Sequence, residues 1–284
     1  MKQKLKEGIM RAVFALTACL SIVAVLLICV FLFANGIPTM AEIGFGEFLL
    51  GSTWSPTQGK FGIFPMIVAS IFVTAGAILV GVPLGILCAL FLARYCPKKL
   101  YRPLKSSVEL LAGIPSIIYG FFGLVVLVPL MQSLLGGGGK GMLTASVMLG
   151  IMILPTVINI SEASLRAVPE SYYEGSVALG ASHERSVFSA VLPAAKSGIL
   201  AGVILGIGRA VGETMAVVMV AGNQAMLPER LTDGIRTLTA NIVLEMGYAA
   251  DLHREALIAC GVVLFVFILI INLCFSALKK GEKA

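Results

Sequence analysis

Arg209 and Glu213 stand inside an otherwise apolar run, Gly206-Ile-Gly-Arg-Ala-Val-Gly-Glu-Thr-Met-Ala216. A charge at the centre of a membrane-spanning helix costs roughly 2.5 to 3.5 kcal/mol on insertion scales, so each of the two requires a partner or a polar cavity. Four residues apart, they are predicted to share a helix face. At about 100° per residue, Gly198, Gly202, Gly206, Arg209, Glu213 and Ala216 fall within roughly an 80° arc, which is too polar and too small-sided for lipid. An arginine in such a place points to anion chemistry, because its planar fork hydrogen-bonds two oxygens of an oxyanion and stays charged at any physiological pH. Glu213 can hold the arginine when no ion is present, or accept a proton that the ion carries. Monohydrogen phosphate carries one near neutral pH; sulfate and molybdate do not.

A second face of the same design is predicted upstream, where Glu109, Gly113, Ser116, Gly120 and Gly123 also fall within about 80°. The two faces can meet. For the glycines, close helix packing explains the pattern as well as a path does. For the charged pair a transport path is the better account, since a pair that served packing alone could be replaced by apolar residues at little cost. Other chemistries find no residues to carry them. The six cysteines lie in or beside apolar runs without a CxxC pair, and His183 and His253 are far apart, so neither a disulfide framework nor a metal site is expected. With no paired acid and base and no nucleophile constellation, the chain reads as no enzyme, and no cofactor is expected.

The elements that must position these residues are membrane helices. The chain is 58% hydrophobic and only 13% charged, with a mean hydropathy of +0.98, beyond the range of soluble globular domains. The net charge of +6 is spread in short clusters between apolar runs, which argues against nucleic acid. Six apolar stretches read as spans: Ala12 to Ala34, Phe64 to Ala93, Val108 to Leu135, Leu143 to Ser161, Gly198 to Ala221, and Ala256 to Leu278. The first, 23 residues long, exceeds the core of a cleaved secretory signal and reads as a true span. Of the Lys and Arg residues, fifteen fall on one side of this topology and five on the other, with Arg209 inside a span. Cytoplasmic loops are enriched in Lys and Arg, so both termini are predicted to be cytoplasmic.

On the opposite side, Asn35 to Gly62 reads as an external loop and Gly136 to Gly139 as a flexible turn. Between Gly222 and Glu255, Ile235, Leu238, Ile242 and Met246 recur at helical spacing. They predict an amphipathic surface helix, either packed over the ends of its own bundle or open to an external partner.

Between spans four and five runs a cytoplasmic loop, at about 167–196, containing Glu174-Gly-Ser-Val-Ala-Leu-Gly180 and then Leu192-Pro193. A short helix, a glycine-permitted bend and a second helix would make a rigid knob suited to a cleft on another protein. Glu174, Gly180, Leu192 and Pro193 stand at the spacing of the EAA motif, and the loop resembles that of the binding-protein-dependent ABC importer permeases with a MetI-like transmembrane domain. Gly175, Ser176 and Ala190 replace the Ala, Ala and Ile of the pattern. The resemblance implies that this knob is the coupling helix, docking on a separate subunit that hydrolyses ATP. No GxxxxGK[ST] occurs here, so the chain is not itself that ATPase.

The stretch Glu109-Leu-Leu-Ala-Gly-Ile-Pro-Ser-Ile-Ile-Tyr-Gly120, taken with Gly206 to Ala216, narrows the likeness. From about Phe64 onward the chain resembles the PstC-type permeases of bacterial phosphate-specific transporters. That resemblance implies an all-α polytopic fold of six transmembrane helices, the type I ABC importer permease core. It divides the chain into an N-terminus, first helix and external loop (1–62), a permease core (63–278) and a cytoplasmic tail (279–284). It places the protein in the bacterial cytoplasmic (inner) membrane, with membrane lipid around it. It also implies partners: a second permease (PstA-like), two ATPase subunits (PstB-like) and an extracytoplasmic phosphate-binding protein (PstS-like). The substrate path would run by Arg209, Glu213 and Glu109. The same architecture would serve molybdate, tungstate or sulfate, and a channel or scaffold without ATP coupling is the rival that the loop argues against.

Overall fold

Hydrocarbon offers no water to backbone amides, so each apolar run closes its hydrogen bonds on itself as a helix. The computed structural model describes residues 2–281, with side chains over 6–274. Among the described residues, six helical stretches are long and apolar enough to cross a bilayer: Lys6–Ile43, Phe64–Tyr95, Ser116–Leu135, Met142–Arg166, His183–Gly212 and Asp251–Cys274. The expected tail lies outside the described residues from residue 282 on, as do the side chains of Lys279, Lys280 and Lys283.

In chain order the elements are α1 (Lys2–Ile43), α2 (Phe45–Leu50), a hairpin of β1 (Trp54–Ser55) and β2 (Lys60–Phe61), α3 (Phe64–Leu90), α4 (Lys98–Ala112), α5 (Ser116–Phe122), α6 (Val128–Leu135) and α7 (Met142–Arg166). There follow α8 (Glu170–Ala178), α9 (His183–Ser186), α10 (Leu192–Gly212), α11 (Met215–Val220), α12 (Leu238–Glu245) and α13 (Asp251–Gly281). Wide π turns join α3 to the bend before α4 (Phe91–Tyr95), α5 to α6 (Gly123–Leu127) and α9 to α10 (Val187–Val191). The last two run directly into Pro129 and Pro193. Proline has no N–H for the carbonyl four residues back and crowds it, and a widened turn accommodates both defects.

Helix ends shift by several residues from the sequence expectation, and three departures change the course of a span. α1 continues through Pro38 to Ile43, where the sequence predicts a loop; Asn35 Nδ2 donates to Phe31 O and Thr39 Oγ1 to Asn35 O across that stretch. The third span, expected to be continuous from Val108, breaks at Gly113–Pro115 into α4 and α5. Pro115 cannot donate to the ladder and disfavours a helical Ile114, while the Tyr119 hydroxyl donates to Leu111 O at 2.7 Å across the break. The fifth span, expected to run unbroken to Ala221, unwinds at Glu213.

The bundle is assembled around α7, whose Met148, Leu149, Met152 and Ile153 are fully buried. Glycines let its neighbours approach closely. A Cβ on Gly81 or Gly85 of α3 would sit 2.7–2.8 Å from Gly150, Ile153 or Val157, and one on Gly198, Gly202 or Gly206 of α10 would meet Ser164, Ile160 or Val157 at 2.2–3.1 Å. The small-residue face of α10 is therefore the face packed on α7. α1 leans chiefly on α13, with Phe33 edge-on to Phe265 at 5.7 Å, and leaves most of its apolar side chains exposed, as a lipid-facing helix would.

Two ends of the bundle can be told apart. One carries α4, α8 and α9; the other carries the hairpin and the 222–250 segment, which folds back over the start of α7. There Gly141, Met142 and Leu143 donate to Val220, Asp233 and Leu231 carbonyls at 2.9–3.0 Å, occupying amides that a helix start leaves open. The amphipathic helix predicted in this segment is short, and its apolar side turns inward. Ile235 and Leu238 are fully buried, and Ile242 and Met246 pack with Phe48, Trp54 and Leu257.

Candidate functional site

The charged stretch of span five folds as a helix end, a one-residue extension and a helix start. α10 stops at Gly212, Glu213 is extended (φ −71°, ψ 133°), and α11 begins at Met215. Arg209 thereby occupies the last turn of α10, where the helix dipole favours a cation, and the Glu213 carboxylate sits just ahead of α11, where the dipole favours an anion. Glu213 Oε1 accepts from Ala216 N–H at 3.1 Å, capping an open amide of α11. The carbonyl of Glu213, freed by the break, accepts from Thr239 Oγ1 of α12 at 2.9 Å. The break is thus tied to the end of the bundle opposite α8 and α9.

This geometry replaces the ion pair that four-residue spacing predicts. Unwinding at Glu213 takes its side chain off the α10 face, and Arg209 instead donates through Nη1 to Thr156 Oγ1 of α7 at 3.3 Å. Arg209 and Glu213 are each half-buried. The two small-residue faces expected to meet do so only at Ala216: the glycines of α10 pack on α7 instead, while a Cβ on Gly120 of α5 would lie 2.8 Å from Ala216 Cα and one on Gly123 of the following π turn 2.7 Å from Val220 Cγ1 of α11. Glu109 stands apart from this contact, exposed on α4 ahead of the Gly113–Pro115 break.

Further polar groups line α7 toward the α8 end. Lys105 Nζ of α4 donates to Asn159 Oδ1 at 2.8 Å and to Glu162 Oε2 at 2.9 Å. Glu162, 3% exposed, also accepts from the Tyr101 hydroxyl at 2.9 Å and from Arg166 Nε. The Arg166 guanidinium covers the Tyr101 ring at 4.2 Å. Burial raises the Tyr101 hydroxyl above its usual range, and the hydrogen bond to Glu162 adds to this. Thr156, Asn159 and Glu162 were legible in the sequence only as polar residues recurring every third position in an apolar run.

The loop between spans four and five has the predicted shape. α8 ends in a Schellman turn: Gly180 N–H donates to Val177 O at 2.8 Å, Ala181 N–H to Ser176 O at 3.2 Å, and Gly180 has φ +85°. Ser182 then caps α9, accepting from Arg185 N–H. The two arms are held together by a 2.8 Å hydrogen bond between the Tyr173 hydroxyl and His183 Nδ1, with Tyr95 edge-on to the imidazole at 4.9 Å. The base of the knob is fixed to the π turn after α3 by Arg94, which bonds Glu170 at 3.0 Å and Leu165 O at 3.2 Å. Glu174 and Gly180 are exposed, and Leu179 is 91% exposed at the tip. Leu192 and Pro193 lie where the π turn enters α10.

At the opposite end a buried hub escaped the sequence reading altogether. Glu245 accepts from Trp54 Nε1 at 2.8 Å, from Arg236 Nη1 and from His253 Nε2 at 2.8 Å. Arg236 also donates to Asn241 Oδ1 and Asn223 O. Burial pushes the Glu245 carboxyl up; the hydrogen bonds from Trp54, His253 and Arg236 outweigh this and hold it below the usual carboxylate range. His253 belongs to this hub and His183 to the opposite end of the bundle.

A helical core closed around α7, an extra peripheral N-terminal helix and a two-helix knob between spans four and five define the type I ABC importer permease fold. Two solved structures share it. The MetNI methionine ABC transporter in an inward-facing conformation superposes with a TM-score of 0.56 at 22% identity, covering 78% of this chain and 94% of that one. A bacterial importer of the acidic polysaccharide alginate gives a TM-score of 0.60 at 15% identity, covering 95% and 98%. The sequence profile described as "Binding-protein-dependent transport system inner membrane component" matches residues 81–282, and the chain belongs to that family. Among curated relatives, the "Probable ABC transporter permease protein YqgH" of Bacillus subtilis (strain 168) is 38% identical over 276 residues, covering 93% of this chain and 89% of the relative. The "Phosphate transport system permease protein PstC" of Mesorhizobium japonicum is 37% identical over 288 residues, covering 94% and 88%.

Proposed function

We propose that this chain is one permease subunit of an ATP-driven importer that carries inorganic phosphate across the bacterial cytoplasmic membrane. The observation that carries the reading is Arg209, a guanidinium at a helix break within a spanning segment whose hydrogen-bond partner is the neutral Thr156 hydroxyl. An arginine not neutralised by a carboxylate is costly in a membrane, and its fork is matched to an oxyanion. The relatives named for phosphate transport support the same choice of ion.

Glu213, kept off Arg209 by the unwound backbone, is placed to respond to the proton on monohydrogen phosphate. Glu174, Gly180, Leu192 and Pro193 shape the knob that seats on the ATPase. With the basic side facing the cytoplasm, both termini and the knob lie inside the cell, and the hairpin and α12 face the external binding protein. A six-helix chain offers half of a two-fold or pseudo-two-fold pore. It therefore works with a PstA-like second permease, two PstB-like ATPases and a PstS-like binding protein.

The test is radiolabelled phosphate uptake by the assembled complex in proteoliposomes, with co-purification of the ATPase measured in parallel. Arg209→Gln should abolish uptake while the complex survives, and Arg209→Lys should leave a small residue because the bidentate geometry is gone. Excess sulfate or molybdate should compete poorly. Normal uptake in Arg209→Gln removes the arginine from the path, and loss of assembly together with uptake makes it a structural residue.

A further inference from the structure

α7 presents a polar stripe that begins at Thr156, the partner of Arg209, and does not end there. At about 100° per residue, Thr156, Asn159, Ala163 and Arg166 fall within roughly 80° on one side of the helix. Across that side Thr156 and Asn159 are half-buried, and Ala163 and Arg166 are exposed. α10 packs along one flank, through Gly198, Gly202 and Gly206, and α4 reaches in from the other, through Lys105. Ten residues separate Thr156 from Arg166, which at 1.5 Å per residue is about 15 Å, half of a hydrocarbon core of about 30 Å. A polar face of that length does not suit lipid.

The charges along the stripe do not cancel. Glu162 is shared by Lys105 and Arg166, two cations against one carboxylate. Lys105 has three N–H donors and bonds Asn159 and Glu162, which leaves one for a further acceptor. Arg166 also lines, with Arg94, Lys98 and Arg102, an open pocket of about 280 Å³ at the α8 end. Positive charge therefore continues from Arg209 through Lys105 to a basic opening, and a lane lined by one sign of charge concentrates ions of the other.

We propose that Lys105 is a second anion station on the translocation path, receiving the ion from Arg209 along the Thr156–Asn159 face of α7 and passing it to the basic opening beyond Arg166. The proposal rests on the reading of this chain as an oxyanion permease. It assigns α4 a transport role beyond anchoring.

The experiment uses the complete complex in proteoliposomes and reads phosphate uptake, ATP hydrolysis and subunit co-purification together. Lys105→Gln should lower the uptake kcat about tenfold, the value of one charge-assisted hydrogen bond of about 1.4 kcal/mol. Its KM, set by delivery from the binding protein, and its assembly should be unchanged, and Lys105→Arg should restore most of the rate. Glu162→Gln, which removes the anchor but keeps the cation, should retain at least half of the uptake, as a mere anchor would not. Asn159→Ala leaves the Lys105–Glu162 pair intact and should also slow uptake, which keeps the proposal testable if Lys105→Gln fails to assemble. Uptake within about twofold of wild type in both Lys105→Gln and Asn159→Ala overturns it, and so does equal loss in Glu162→Gln and Lys105→Gln. Arg209→Gln runs beside them: if it transports normally the permease reading itself falls, whereas loss there with normal uptake in the Lys105 and Asn159 variants sinks only the second station.

Discussion

Gly180→Val isolates the contribution of one backbone angle to coupling. Gly180 sits at φ +85°, and a Cβ built there has nothing within 4 Å, so substitution introduces no clash. The cost is conformational. Holding a residue with a Cβ in the left-handed region costs roughly 1–2 kcal/mol, and a β-branched side chain lies at the upper end. If the backbone instead relaxes to negative φ, the Schellman bonds to Val177 O and Ser176 O are lost, each worth about 1 kcal/mol. Either route removes 1–2 kcal/mol from the observed angle between α8 and α9, a factor of about 5–30 in the population of the docking geometry. ATP-dependent phosphate uptake should fall by that factor with near-normal membrane abundance. Gly180→Asn tolerates the left-handed region and should lose little, and Gly180→Ala should fall between. The assay is uptake by membranes carrying the complete complex, with immunoblot quantification of this chain. Undiminished uptake in Gly180→Val, or equal loss in the Val and Asn variants, would refute the argument that φ at this position sets the knob.

The chain alone, reconstituted without partners, should move no phosphate; measurable ATP-dependent uptake by it would contradict the half-pore reading. Gly120→Val places a side chain 2.8 Å from Ala216 Cα, and overpacking of this kind costs about 1–3 kcal/mol; the melting temperature of the purified chain in detergent should drop, and an unchanged value would mean that α5 and α11 separate freely. Glu245→Gln should loosen the hub that joins the hairpin, α12 and α13, read by emission from Trp54, the one tryptophan in the chain. The same signal should respond to acid. A carboxyl held below its ordinary value of 4.5 contributes stability that is fully present above 4.5 and is lost as pH falls through the lower folded value. Trp54 emission should therefore change as pH falls below about 4.5, and the absence of any transition there would exclude Glu245 as a stabilising carboxylate.

The number and approximate placement of the spans follow from residue composition, because the solvent imposes about 20 apolar residues per crossing whatever the neighbours do. The bend at Gly180 was legible for a similar reason: a glycine between two short helical patterns states a local backbone requirement. The break within span five was not legible, and Pro115 marks an interruption in span three without showing that the helix ends there. Apolar character runs through both, and whether a helix unwinds there depends on who accepts and donates at the freed groups. At Gly113–Pro115 the partner is the Tyr119 hydroxyl, and at Glu213 it is Thr239, 26 residues on, reached only once α12 has folded over the bundle. Spacing alone made Arg209 and Glu213 an ion pair; the unwound residue between the helix ends separated them and gave Arg209 to Thr156, 53 residues away. The Glu245 hub joins residues 191 apart, and no local pattern announces it. Sequence by itself determined which segments enter the membrane and which chemistry they carry, since hydropathy and residue type are properties of each position. Only the tertiary structure decided which charges face one another, because pairing depends on where helices end, and they end where distant side chains can satisfy the open backbone.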